Sequence, residues 1–277
     1  MSEIERQVSA HYTTAELVDR ILAAVAAAGG APDSLAVDDL KGVDEFHTGG
    51  VEATDALLSQ LAIQPSTRVL DIGCGIGGTS RHIAAGWDVA VTGVDLTVAY
   101  VAAAEELSRR VGLAKLTSFL QGSALDLPVA SAAFDLATMF HVGMNIDDKA
   151  ALFREAARVL APGGTFALFD VMRVGPGEIP YPMPWAEEPD WSFVAAPALY
   201  REAASSAGLA LRAERNRAPF AKDFFERVVA AAAASGGPPP VSIHLLMRET
   251  AAQKLGHYVQ ALEAGTIAPV EMIFHRP

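Results

Sequence analysis

Short apolar runs alternate with amphipathic stretches through the middle of the chain. "RVLDIG", "DVAVTGVD", "LTSFLQG", "FDLATMF" and "TFALFDVM" each group apolar residues between turn residues and read as buried strands. Between them, "GTSRHIAAG", "TVAYVAAAEELSRRVG" and "DKAALFREAARVL" read as helices. In the second, Val101, Ala104, Leu107 and Val111 fall on one face; in the third, Leu152, Ala156 and Val159 form a stripe. Strands apolar on both faces that alternate with helices predict a parallel sheet covered on both sides, a doubly wound α/β fold. "ALRAERNRA" and "VEMIFHR" add a sixth and a final strand, giving seven in all.

The flanks read differently. Residues 1–62 are helical in pattern: Thr13 and Glu16 form a capping box before "AELVDRILAAVAAA", Gly29-Gly30 ends that helix, and "VEATDALLSQL" forms the next. "RVGPGEIPYPMPWAEEPDWSF" is rich in proline and aromatics and predicts an irregular loop. A helical stretch broken at "SGGPPP" precedes the last strand. The expected organisation is a helical N-terminal lid over 1–64, a core over 65–220 and 264–277, and a helical insertion capping the substrate over 221–263.

Composition narrows the function. The 277 residues are 51% hydrophobic and 7% aromatic, so the core should be largely Ala, Val and Leu. Lysine plus arginine total 21 against 33 acids, a net charge of −12, which argues against a nucleic-acid partner or a polybasic membrane contact. A small-molecule substrate is expected, and assembly into a homo-oligomer stays open. The lone Cys74 excludes an internal disulfide and a cysteine-rich metal site, and no two histidines stand at ligand spacing on one helix. "MSEIERQVSA" carries acids where a secretion signal needs cations, so a soluble, cytoplasmic protein is expected.

The chemistry concentrates at "VLDIGCGIGG". Glycines between a strand and a helix let backbone approach a ligand at the helix N-terminus. Gly73, Gly75 and Gly78 satisfy the dinucleotide fingerprint, and Asp95 follows at about the right distance. Asp71 distinguishes the two readings: a carboxylate two residues before the first glycine repels a pyrophosphate. It suits S-adenosylmethionine, which carries an ammonium and a sulfonium and no phosphate. Together with "VTGVDLT", "GSALDLP", "FDLATMF" and "EAARVLAPGGTF", the turn resembles the class I S-adenosylmethionine-dependent methyltransferases over about Val69–Met172. The resemblance implies a Rossmann-like methyltransferase fold. "HVGMNI" and "EFHTGG" are similar to segments of small-molecule N-methyltransferases of the sarcosine/dimethylglycine type.

The resemblance implies roles by position. Asp71 would lie near the amino-acid end of the cofactor, with the Gly73, Cys74, Gly75 and Gly77 backbone under it. Asp95 would accept from both ribose hydroxyls, Leu96 would pack on the adenine, and Ser123, Ala124 and Leu125 would meet the adenine edge. Leu96 and Leu125 could equally be core residues. Phe140 and, on a first helix folded over as a lid, Tyr12 complete the cofactor set. His141, Met144 and Asn145 would stand beside the transferable methyl. His141 and then His47 are the candidate bases, with an orienting role as the alternative for each. Tyr181, Trp185, Trp191 and Phe193 could hold an ammonium by cation–π attraction or simply anchor the proline-rich loop. The expected activity is methyl transfer from S-adenosylmethionine, giving S-adenosylhomocysteine, to a small acceptor, foremost an amine nitrogen. The rivals are O- or C-methylation, an NAD-dependent oxidoreductase, and a cofactor-binding protein without turnover.

Overall fold

The computed structural model describes residues 17–277; the Thr13–Glu16 capping box and Tyr12 lie outside the described residues. Seven strands form one sheet: β1 (Val69–Ile72), β2 (Val91–Asp95), β3 (Thr117–Gln121), β4 (Phe134–Phe140), β5 (Leu160–Arg173), β6 (Ala210–Asn216) and β7 (Ile267–His275). Their order is β3-β2-β1-β4-β5-β7-β6. Strands β1 to β5 pair in parallel, and β7 runs antiparallel to both neighbours. The expected doubly wound, mostly parallel seven-stranded sheet is the observed one.

Strand periodicity divides the core into two layers. Leu70 and Ile72 of β1 face one side with Met139, Phe166 and the helix residues Leu152 and Phe153. Val69 faces the other with Leu136, Phe169, Ile83 and the N-terminal pair Leu57 and Leu58. These side chains are almost wholly inaccessible to solvent, and full burial of one such residue is worth about 1.5–3 kcal/mol. The sheet is therefore fixed by apolar contact on both faces, and polar groups in it need another explanation.

Two boundaries differ from expectation. The fifth strand starts at Leu160 rather than Thr165, because Leu160 pairs with Phe134 across a register shift before the ladder resumes at Leu136↔Thr165. The helix expected from about 221 starts at Ala218, where a proline in its first turn suits the helical dihedral. It ends at Ser235, with Gly236 in the left-handed conformation. Two shorter helices, His244–Met247 and Ala251–Glu263, follow it and lead into β7. Among the described residues no helix is long and apolar enough to cross a membrane.

The strand order reverses direction at β1: the chain moves outward through β2 and β3, then returns to β4 on the opposite side of β1. In open α/β sheets a crevice forms beyond the carboxyl ends of the strands at such a point.

Candidate active site

A cavity of about 340 Å³ occupies that crevice. It is lined from the ends of β1, β2 and β4 and by the segment that precedes the helix Gly50–Leu58. The volume lies in the range of small-molecule sites.

The glycine turn forms its floor. Gly73, Gly75 and Gly77 have φ of +71°, +54° and +84°, a region that side chains with a Cβ rarely adopt. At Gly73 the close packing adds a second constraint, since a Cβ there would lie 2.3 Å from Val142 Cγ2. The turn also consumes its own donors. Gly73 N and Cys74 N donate to Val94 O at 2.7 and 3.1 Å, and Gly77 N donates to Cys74 O at 2.8 Å. Gly75 N donates to Asp95 Oδ2 at 2.9 Å. These four N–H groups are thus engaged with the protein.

Two carboxylates stand on this floor. Asp71, 2% exposed, accepts from Ser80 Oγ at 2.7 Å and from Thr138 Oγ1 at 3.1 Å. Neither donor carries charge, and burial pushes the Asp71 carboxyl up to about 6. Asp95 accepts from Gly75 N and, at 2.8 Å, from Thr97 N; burial again outweighs these bonds and raises its carboxyl. With the Thr97 hydroxyl donating as well, the carboxylate still has capacity for a further donor. Both acids are held in place and poorly neutralised.

Histidines form the opposite wall. His47 Nε2 contacts Glu45 Oε2, which also accepts from Thr54 Oγ1 at 2.8 Å. Its ring lies 5.1 Å from Phe140 and 5.8 Å from His141, centroid to centroid. His141, directly after β4, has φ of +52°, and its N–H donates to Phe169 O at 2.7 Å. Burial, reinforced by His47, pushes the His141 imidazole well below its ordinary pKa. Its Nε2 and the Oδ1 of Asn145 are buried with no hydrogen-bond partner among the described residues. A native structure pairs nearly all such atoms, so unpaired ones beside a cavity mark a place where a ligand completes the bonding.

The structure brings most of the sequence-derived residues to one place. Asp71, Gly73, Cys74, Gly75, Asp95, Leu96, Ser123, Ala124, Leu125, Phe140, His141, Asn145 and His47 all line the cavity. Gly77 shapes the turn without lining it. Four others are elsewhere. Met144 packs with Trp185, Met183 and Tyr258 in a separate core, and Tyr181 and Trp191 pack against the same cluster. Trp185 is 3% exposed, and its indole N–H donates to Ser192 Oγ at 2.9 Å. The aromatic loop is placed as an anchor between the sheet and the helix Ala251–Glu263, not as a wall of the cavity.

Sequence reasoning missed the residues that fasten the N-terminal segment. The guanidinium of Arg81, fully buried on the helix after the glycine turn, pairs with Asp44 and donates to Ile76 O at 2.8 Å. Ser80, next to it, holds Asp71. The available signal was local: Arg81 is a cation on the buried face of a short helix, and Asp44-Glu45 are two acids just ahead of "FHTGG".

A family profile described as a methyltransferase domain matches residues 70–168. Ajmaline N-methyltransferase of Rauvolfia serpentina is 39% identical over 100 residues, covering 36% of this chain and 34% of that protein. Phosphoethanolamine N-methyltransferase 1 of Arabidopsis thaliana is 35% identical over 126 residues, 46% of this chain and 25% of that protein. The chain thus matches about a third or less of the length of these curated relatives. In fold it is similar to geranyl diphosphate C-methyltransferase from Streptomyces coelicolor A3(2), with a TM-score of 0.73 and 15% identity over 100% of this chain and 99% of that one.

Proposed function

From a chain that carries a class I methyltransferase domain, we infer an enzyme that transfers a methyl group from S-adenosylmethionine to a small acceptor, foremost an amine nitrogen. One observation carries the choice of cofactor. The glycine turn spends the N–H groups of Gly73, Cys74, Gly75 and Gly77 on the protein, while Asp71 and Asp95 reach the cavity with no lysine or arginine among the described residues that line it. A pyrophosphate needs free backbone N–H donors and no acid nearby. A nucleoside bearing an ammonium and a sulfonium needs the reverse, and the donor set fits it.

When bound, S-adenosylmethionine supplies a methyl carbon activated by a sulfonium. The residues of this chain bind and orient. Asp71 faces the ammonium of the zwitterionic amino-acid end, and burial makes the carboxylate a strong counter-charge once that cation arrives. Asp95 accepts from ribose hydroxyls with the lone pairs left by Gly75 and Thr97. Leu96, Ala124 and Leu125 give the base an apolar slot, with Ser123 at its edge. His141 and Asn145 meet the acceptor: the neutral imidazole can take the proton that an attacking N–H or O–H sheds, and the amide oxygen orients it. His47, fixed by Glu45, orients from behind. Alignment and exclusion of water account for most of the rate, since positioning alone can supply up to about 7–11 kcal/mol.

Calorimetry with S-adenosylhomocysteine and NAD tests the reading. The nucleoside thioether should bind and NAD should not. Asp95→Ala should weaken the former at least about tenfold, because a hydrogen bond to a charged group is worth roughly 1.5–3 kcal/mol. Binding of NAD alone, or unaltered affinity in the variant, would remove the assignment.

A further inference from the structure

The charge on the cavity wall is one-sided. Asp44, Asp71, Asp95, Asp147 and Asp148 line it, and among the described residues no lysine or arginine does. Asp44 is paired with Arg81, and with Asp71 and Asp95 given to the cofactor, Asp147 and Asp148 are the acids left for the acceptor. Nearby cations are committed elsewhere. Arg81 is wholly buried against Asp44. The ammonium of Lys149, which follows Asp148 in the chain, donates to the carbonyl oxygens of Ile146 and Phe193, the latter at 2.8 Å. The Arg227 guanidinium is fixed to Glu52 at 2.8 Å. The remaining wall at the acceptor end is aromatic, with Phe46, Phe140 and the two imidazoles. The unpaired polar atoms there, Asn145 Oδ1 and His141 Nε2, belong to groups that can receive N–H or O–H donors.

We propose that the methyl acceptor is a lipophilic amine without a carboxylate, phosphate or sulfate, drawn in as an ammonium ion by the acidic wall and seated against the aromatic one. There it gives a proton to His141 Nε2, and the freed nitrogen lone pair attacks the methyl carbon as the carbon–sulfur bond breaks. The proposal rests on the methyl-transfer reading and adds the acceptor's charge to it. An anionic acceptor would leave its charge beside Asp147 and Asp148, with no guanidinium or ammonium among the described lining residues to receive it. Such a desolvated, unpaired charge is the strongest form of rejection a site can offer. An ammonium meets the opposite field: the acids concentrate it at the mouth, and aromatic faces accept its cationic head and apolar body. Burial raises the carboxyls of Asp71 and Asp95, so a positive group beside either is favoured. Fold similarity to an enzyme named for a diphosphate substrate therefore does not extend to the charge of this chain's acceptor.

The test uses the full chain saturated with S-adenosylhomocysteine. Phenethylamine is compared with phenylpropionate, and dimethylaminoethanol with phosphoethanolamine, by calorimetry and by the shift in melting temperature. Each amine should bind at least about tenfold tighter than its anionic counterpart, the scale expected when like charges are brought together in a pocket. Asp147→Lys should narrow the ratio within each pair. Equal or tighter binding of the anionic members overturns the proposal, as does the absence of binding by both amines. If S-adenosylhomocysteine itself fails to bind, the methyl-transfer reading falls and takes this proposal with it. A saturated enzyme that prefers anions removes the proposal alone.

Discussion

Glu45 Oε2 lies 2.6 Å from His47 Nε2, and the two side chains are 2% and 3% exposed. Burial acts to raise the Glu45 carboxyl, but its bonds and charge interaction with His47, joined by Thr54, outweigh it and leave it below the usual glutamate value. The pair sets the position of the imidazole at the cavity wall.

Removing one member should therefore cost stability. Glu45→Gln removes the carboxylate that His47 Nε2 and Thr54 Oγ1 contact, and losing a hydrogen bond to a buried charged group costs about 1.5–3 kcal/mol. Because the folded-state pKa is depressed, the Glu45 contribution is present above the ordinary value of 4.5 and is lost as pH falls through the lower folded value. Urea unfolding of both proteins should show a large difference at pH 7 that narrows below about pH 4.5. A constant difference would mean that packing, not charge, is what the substitution removes.

Asp71 predicts the opposite sign. Its carboxyl is lifted from 3.8 to about 6, so ionisation costs on the order of 3 kcal/mol in the folded protein, at about 1.4 kcal/mol per pH unit. The cost is complete above pH 6 and fades as pH falls toward 3.8. Asp71→Asn should unfold at higher urea concentration than the parent at pH 8, converge with it near pH 4, and lose affinity for S-adenosylmethionine. A variant that is less stable at pH 8 would refute the account of this acid.

His141 is neutral through the physiological range, because burial and His47 hold its pKa well under 6.5. The proton-accepting form therefore persists as pH falls, and activity should show no loss near pH 6.5 attributable to this ring. His141→Ala should lower kcat by roughly 100- to 10,000-fold when the acceptor must shed a proton in the transition state. An amine that enters the rate-limiting step already neutral should lose far less. A kcat profile for both proteins separates the two cases.

Trp185 supplies the control. It is buried with Met183 and Tyr258, away from the cavity. Trp185→Ala should cost about 3–5 kcal/mol of stability and leave the acceptor KM little changed. A raised KM with intact stability would place the indole at the acceptor after all.

The parts of this site that were legible in sequence are those whose chemistry is local. Asp71, Gly73, Gly75 and Asp95 are set by one strand–turn–helix unit and the strand beside it, where spacing dictates position. The existence of β1 to β5 with helices between them was legible in the alternating apolar and amphipathic pattern for the same reason. Glu45, Asp44 and Arg81 were not legible as a group, because Asp44 meets Arg81 across 37 positions and nothing in either stretch names its partner. Trp185 and Trp191 show a different difficulty. Their apolar area required burial, but composition does not say against which surface, and a helix late in the chain took the place expected of a ligand.

The Asp44–Arg81 pair also bears on redesign. The peptide that presents His47 is bolted, through Asp44, to the back of the turn that carries Gly73 to Gly77. Swapping the N-terminal region for one from a relative, to change acceptor preference, would break that bolt unless the incoming stretch brings its own aspartate in register. The N-terminal segment and the glycine turn are thus not free modules here; a chimera must transplant the fastening with the face it supports.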